Sequence, residues 1–210
     1  MSTAAISRVQ RLVLRGEPWK TYVRLLRLLD DRRHLRITYD RGALEIMTLS
    51  PERERWKRLI RRLIVTLTEE LGLPLVEYGS ITIKRRKKLR GLEPDECFWI
   101  QNEPLVRNMK SYKLRRDPPP DLIVECDSAR SAVNRMGIYA ALKAPEVWRF
   151  RKSRLEFHIL GEDGKYTAQS TSRALPGIGS EDVDRFLARR GQIEMNALIR
   201  EFREWIRSRS

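Results

Sequence analysis

The stretch Asp121-Leu-Ile-Val-Glu125-Cys-Asp127, led in by Asp117-Pro118-Pro119-Pro120, decides the reading of this chain. Its apolar centre reads as a strand, and the prolines fix where that strand begins. Side chains alternate along a strand, so Asp121, Ile123, Glu125 and Asp127 share one face. Thirty positions before Glu125 stands Asp95, within Glu93-Pro94-Asp95-Glu96, at the entrance to a second apolar run, 97–100. Carboxylates on a buried face repel one another and resist desolvation. Something positive must sit among them. A divalent cation is the economical candidate, because hard cations prefer carboxylate oxygen.

The flanks complete an α/β pattern. Helical spacing of Trp19, Tyr22, Val23, Leu26 and Leu29 predicts a helix over 19–29. Leu35, Ile37 and Tyr39 alternate with polar neighbours, Asp40-Arg41-Gly42 turns, and Leu44 and Ile46 return, which predicts a hairpin. Ser50 is the N-cap of a helix over 51–71, with Pro51 at its first position, Glu52 in its first turn, Arg53 at N3 and Gly72 as its stop. Trp56, Leu59, Ile60, Leu63, Leu67 and Leu71 form its core face, and Arg55, Arg58, Arg61 and Arg62 lie opposite. Strands are expected at 75–78, 81–84, 97–100 and 122–126, then a helix over 131–142, a buried strand at 146–150, and a hairpin joining 155–160 to 166–169. Two helices close the chain, the last burying Met195, Leu198, Ile199, Phe202 and Trp205. The expected organisation is an N-terminal extension over 1–16 and a single domain over 17–208.

The chain holds 43 Lys and Arg against 28 Asp and Glu, a formal net charge of +15. A polyanionic partner explains this, nucleic acid before anionic membrane; a general arginine bias explains it too. The distribution favours nucleic acid. Lys84-Arg85-Arg86-Lys87-Lys88-Leu89-Arg90 puts six cations in seven residues just before the acidic turn, the juxtaposition a phosphate backbone needs. No stretch approaches the roughly 18 apolar residues that span a bilayer, and the N-terminus lacks the apolar core of a signal peptide. Cys97 and Cys126 lie in apolar runs and read as small core residues in a reducing compartment. The expected location is the cytoplasm, with no membrane partner. His34 and His158 stand alone, which argues against a zinc site or a Ser-His triad, and no phosphate-binding glycine motif occurs.

A metal-dependent phosphodiesterase needs two or three carboxylates converging on one point, and a cation facing the scissile phosphate. If the strands entered by Asp95 and carrying Glu125 are neighbours, their carboxylates meet across roughly 5 Å. The other reading is a pair of turn carboxylates capping strand ends.

Gly91-Leu-Glu-Pro-Asp-Glu-Cys-Phe-Trp-Ile100, Pro118-Pro-Pro-Asp-Leu-Ile-Val-Glu125, Ile138-Tyr-Ala-Ala-Leu142 with Pro145-Glu-Val-Trp-Arg149, and Leu44-Glu-Ile-Met47 with Ser50-Pro51 together resemble the Uma-type putative restriction endonuclease family, part of the PD-(D/E)XK nuclease superfamily. The resemblance covers roughly residues 17–205. It implies an α/β restriction-endonuclease-like fold, a mixed sheet flanked by helices with the acidic site at its edge. It also implies Mg2+ as cofactor, Mn2+ as a substitute, and DNA as partner. Asp95 falls on the family's Pro-Asp aspartate, Glu125 on its second metal ligand, and Asp121 on the Pro-Asp that precedes that glutamate. The superfamily's lysine two residues after the glutamate is Asp127 here. The family's own lysine, four residues before a tyrosine on the following helix, corresponds to Arg135, before Tyr139. Arginine clamps phosphate bidentately but does not readily deprotonate to act as a base; Lys84 or Lys87 is the candidate replacement. A histidine common near the start of the first core helix is Arg53 here, beside Glu54.

Asp127 reads best as the partner that aims Arg135, with an extra metal ligand or an N-cap as alternatives. Glu54 and Glu45 could approach the site, but a helix surface and an exposed hairpin suit them better. The expected function is a Mg2+-dependent DNA endonuclease. In it Asp95 and Glu125 hold the metal, Asp121 assists, and Arg135 contacts phosphate. Lys84, Arg85, Arg86, Lys87, Lys88 and Arg90, with the arginine face of helix 51–71, position the backbone. Superfamily members often cut both strands as dimers, which extends the expectation to a homodimer. The rival is a catalytically weak nuclease-like module that binds nucleic acid without cutting, supported by the arginine in place of lysine. A third reading, a basic structural or membrane-surface protein, requires Asp95 and Glu125 to lie apart.

Overall fold

Two sheets divide the strands, and the candidate site lies where the chain passes from one to the other. The computed structural model describes residues 10–32, 34–127 and 131–209; residues 1–9 of the expected N-terminal extension lie outside the described residues. The chain runs β1 (Arg11–Leu14), α1 (Trp19–Leu28), β2 (Leu35–Asp40), β3 (Ala43–Thr48), α2 (Pro51–Glu70), β4 (Val76–Tyr78), β5 (Ile83–Arg85) and β6 (Arg90–Leu92). It continues through β7 (Glu96–Trp99), α3 (Glu103–Val106), β8 (Leu122–Asp127), α4 (Arg135–Leu142), β9 (Glu146–Arg151), β10 (Arg154–Leu160), β11 (Tyr166–Gln169), α5 (Ser180–Leu187) and α6 (Met195–Arg207).

The smaller sheet has the order β1–β3–β2–β6–β5 and is antiparallel throughout. The β2–β3 turn holds Arg41 and Gly42 at positive φ, the geometry of a two-residue hairpin that keeps the strand twist. Helix α1 covers this sheet with Tyr22, which stacks on Tyr39 and rides over Gly91 so closely that no Cβ would fit there. Residues 11–14, expected within an extension, pair with β3 as the sheet's edge.

The larger sheet has the order β11–β10–β9–β8–β7–β4. It is mixed: β8 and β9 are parallel, and the other pairs are antiparallel. Period-two alternation sorts its side chains. Phe98, Leu122, Val124, Cys126, Trp148 and Phe157 face α2, α5 and α6. Cys97, Trp99, Ile123 and Val147 face the opposite way, under Ile138, Tyr139 and Leu142 of α4. A sheet buried on both faces accounts for the near-continuous apolar runs of β7 and β8. Both cysteines are free and buried in these layers. No helix among the described residues is long and apolar enough to cross a membrane. The fold is the expected mixed α/β one, a sheet flanked by helices.

Two local readings are corrected, and two short elements are added. The helix expected over 131–142 begins at Arg135, because the Asn134 side chain accepts from Gly137 N at 2.9 Å and caps it there. Met195 is exposed; Ile206 takes the inward place on α6, with Leu198, Ile199 and Phe202. The short β6 and α3 had no expectation; each is only three or four residues long.

Candidate active site

Asp95 is delivered by the crossing between the sheets. Strand β6 ends at Leu92, Glu93-Pro94-Asp95 makes the passage, and β7 begins at Glu96. The crossing is pinned through Glu93, whose carboxylate accepts from Ile37 N (3.2 Å) and Thr82 Oγ1 (3.4 Å). Strands β7 and β8 are antiparallel with Glu96 opposite Val124. Continuing that register by one step sets Asp95 opposite Glu125, so the two acids meet as neighbours across the sheet. The third reading, which needs them apart, loses its basis.

Two arginines fill the space around the pair. Arg53, at N3 of α2, donates to Asp95 Oδ2 from Nε (3.0 Å) and Nη2 (2.8 Å), and Nη2 also reaches Glu125 Oε2 at 3.5 Å. Arg135, the first residue of α4, donates from Nη2 to Glu125 Oε1, and Tyr139 Oη donates to the same oxygen one helical turn on. Arg135 is aimed by Thr38 Oγ1 on β2 (2.7 Å) and by the carbonyl of Glu93 (2.9 Å). Cys126 N donates to Asp95 Oδ2 at 2.8 Å. All four charged side chains are buried, so the two guanidiniums and two carboxylates compensate one another in a medium that strengthens each contact.

The acids titrate in opposite directions. Burial resists ionisation of Asp95, but the Arg53 guanidinium, the Cys126 N–H and Arg36 outweigh it and hold the carboxyl below its ordinary range. At Glu125 burial prevails over Arg135 and Arg53, helped by repulsion from Asp95, and the carboxyl is raised. A carboxylate pair pushed apart in this way is a common mark of a chemical site.

The donor set suits a small hard cation through two carboxylates. Among the described residues, Asp95 Oδ1 is buried without a hydrogen-bond partner, and Glu125 Oε2 has only the 3.5 Å contact. An unpartnered oxygen on a buried, ionised carboxylate is the kind of vacancy an ion fills. Mg2+ asks for one or two carboxylates and takes its remaining oxygens from water and phosphate. Among the described residues no group of three or more His, Cys, Asp or Glu could hold a metal, so the set stops at two.

Asp121 is not brought to them. Its Oδ2 accepts from Ile100 N (2.8 Å) and Asn102 N (2.9 Å), and its Oδ1 accepts from Asn102 Nδ2, so it ties off the turn that leads from β7 to α3. Four residues of strand place it about 13 Å from Glu125. Asp127 is corrected as well: it pairs with Arg149 Nε at 2.6 Å, across the parallel β8–β9 ladder, and not with Arg135. Glu54 faces Lys57 at 3.2 Å and lies on a separate cleft. Glu45 is buried, not exposed; it accepts from Ser131 Oγ and Ala132 N, both at 2.7 Å, and anchors the approach to α4.

Of the basic run, Lys84 and the turn Arg86-Lys87-Lys88 are exposed, and Arg85 is half-buried. Lys84 lines that separate cleft, of about 830 Å3, with Glu93, and Lys87 lies on the exposed turn; neither bonds to the acid pair. Arg90 is structural: it holds Asp40 at 2.8 Å and the carbonyl of Gly137 at 3.2 Å, tying β6 to α4. Glu125 and Arg135 open instead onto a cleft of about 390 Å3 that also holds Arg149 and Arg151. Those two arginines, Thr38, the hydroxyl of Tyr139 and the ion-pairing role of Arg53 went unread in the sequence. For Arg53 a signal existed, since it stands three and seven positions before Trp56 and Ile60 and so lies on the core face of α2.

No curated protein matches the chain. A family model does, over residues 19–184, a span that holds both sheets from α1 onward and every residue of the acid–arginine cluster. The chain therefore belongs to the Uma2 family, described as "Putative restriction endonuclease".

Proposed function

We propose that the protein is a Mg2+-dependent endonuclease that hydrolyses DNA phosphodiester bonds. The observation that carries this is the convergence of Asp95, from the passage into β7, and Glu125, from β8, around one guanidinium nitrogen of Arg53. In this reading Asp95 and Glu125 hold the ion, with Mn2+ able to replace Mg2+. When bound, the ion polarises a phosphoryl oxygen and lowers the pKa of a bound water.

The chain's own residues do the rest. Arg135 lines the 390 Å3 cleft beside Arg149 and Arg151, where three guanidiniums can orient a phosphate and offset charge that develops on it. Tyr139 and Thr38 hold Arg135 and Glu125 in place. Neither Arg53 nor Arg135 can take up a proton near neutral pH, so the base role usual for lysine has no counterpart in these two side chains. The exposed turn 86–88, which joins the two strands β5 and β6 that pack against α4, would track the DNA backbone by charge. A homodimer would supply two such sites for the two strands. Buried, unpaired Cys97 and Cys126 suit a reducing cytoplasm.

Nicking of supercoiled plasmid at low salt in Mn2+ tests this. Wild type is expected to cut, with Asp95→Asn and Glu125→Gln each slower by about a hundredfold or more. Cutting that neither change affects would contradict the assignment. A second reading, DNA binding without cutting, is favoured by the buried Arg53–Asp95 ion pair, which neutralises the aspartate with no metal. It predicts gel-shifted but uncut plasmid.

A further inference from the structure

Arg53 stands in an unfavourable place for a cation. It occupies the first turn of a 20-residue helix, where the backbone N–H groups already make the potential positive. Its own backbone is fixed there, because Ser50 Oγ accepts from Arg53 N at 3.2 Å. The side chain is almost wholly buried, and its three closest acceptor contacts all go to the acid pair. It thus supplies, from within the chain, the positive charge that the two carboxylates require.

We propose that Arg53 is an internal competitor for the metal, closing the Asp95–Glu125 pair in the resting protein; this rests on the metal-site reading above. A divalent ion bridging Asp95 and Glu125 meets a full positive charge already bonded to Asp95 Oδ2 and bearing on Glu125 Oε2. With the guanidinium on Asp95 Oδ2 and 3.5 Å from Glu125 Oε2, an ion seated on the free Asp95 oxygen and on Glu125 would meet strong repulsion at this range. The ion therefore binds only as Arg53 releases the pair. Because the α2 backbone is capped, release is a side-chain swing, and an incoming phosphate is the natural acceptor for the freed guanidinium. Arg135 does not compete in the same way, since its bond is to Glu125 Oε1, the oxygen shared with Tyr139, and leaves Oε2 open.

Calorimetric titration of the full-length chain with Mn2+ alone, without DNA, tests this. Arg53→Gln, neutral, polar and shorter, is expected to bind Mn2+ about tenfold more tightly than wild type or better. Arg53→Lys keeps the charge and should remain as weak as wild type. Adding Asp95→Asn to Arg53→Gln should abolish the gain. Arg53→Met serves as a second uncharged variant if the glutamine form does not fold, and melting with and without Mn2+ reads the same preference as a larger rise in Tm than wild type shows. If the uncharged variants bind no more tightly than wild type while Asp95→Asn still removes binding, the competitor role is overturned and the metal site stands. If the uncharged variants bind no Mn2+ at all, the metal-site reading falls, and this inference with it.

Discussion

At the scale of single residues, the site is a problem of buried charge solved by guanidinium. Asp95 and Glu125 would be costly to bury alone, and breaking a buried pair by removing one partner costs about 3–5 kcal/mol. The same logic marks Glu96, one residue on, where compensation is incomplete. Burial raises its carboxyl from 4.5 to about 7, against the pull of Lys57 and Arg61. The folded state then holds that proton more tightly than the unfolded chain does. The stability this brings is whole below pH 4.5, is lost as pH rises through about 7, and is absent above. Glu96→Gln should therefore match wild type near pH 4 and exceed it at pH 8 by about 1–3 kcal/mol. Urea denaturation at the two pH values checks this, and equal stability at pH 8 would count against it. Residue by residue, Asp95 and Glu125 were legible because an acid at the entrance to an apolar strand, or within one, is conspicuous. Asp121 misled for the same reason: a carboxylate just ahead of a strand also suits bare backbone N–H groups, and here those of Ile100 and Asn102 take it.

At the scale of elements, what matters is how α4 is brought to the acids. The Arg135 end of the helix is held by Asn134 as its cap and by Glu45 of β3, which grips residues 131 and 132. Glu45→Ala should free that approach and slow plasmid nicking by about ten- to a hundredfold while Mn2+ binding stays at the wild-type level. Unchanged nicking would show that Glu45 only fills space. Most strands, the α2 cap and the β10–β11 hairpin were readable because each rests on local chemistry: alternation or a short apolar run, Ser50-Pro51, and the Gly161–Gly164 turn. The burial of Glu45 was not readable. It depends on residues 131–132 crossing the small sheet, a contact between positions 86 and 87 apart that no local pattern records. Strand β1 escaped for a related reason, as a four-residue edge needs only β3 beside it and shows no alternating core face.

At the scale of the whole molecule, the excess of positive charge has two separable uses. Part of it is internal, as in Arg90, which ties β6 to α4, and part is open to DNA, in the cleft of Arg135, Arg149 and Arg151, at the turn 86–88 and along α2. Only the second part should set how DNA affinity depends on salt. Replacing Arg86, Lys87 and Lys88 by alanine should lower the slope of log affinity against log salt by roughly 2–3, measured by fluorescence anisotropy on a DNA duplex. Arg90→Ala should instead lower Tm, since its partners Asp40 and the Gly137 carbonyl join β6 to α4. A slope left unchanged by the triple replacement would move the DNA path elsewhere. Net charge alone could not separate these uses, because it counts a guanidinium identically whether it faces water or a buried acid. Cutting is proposed to depend on a cation that Asp95 and Glu125 hold together. The most direct measurement is a crystal structure soaked to saturation in Mn2+, read by anomalous scattering. A peak between the Asp95 and Glu125 carboxylates, with Arg53 swung off Asp95, is the expected result; an intact Arg53–Asp95 pair with no peak beside it would overturn the assignment.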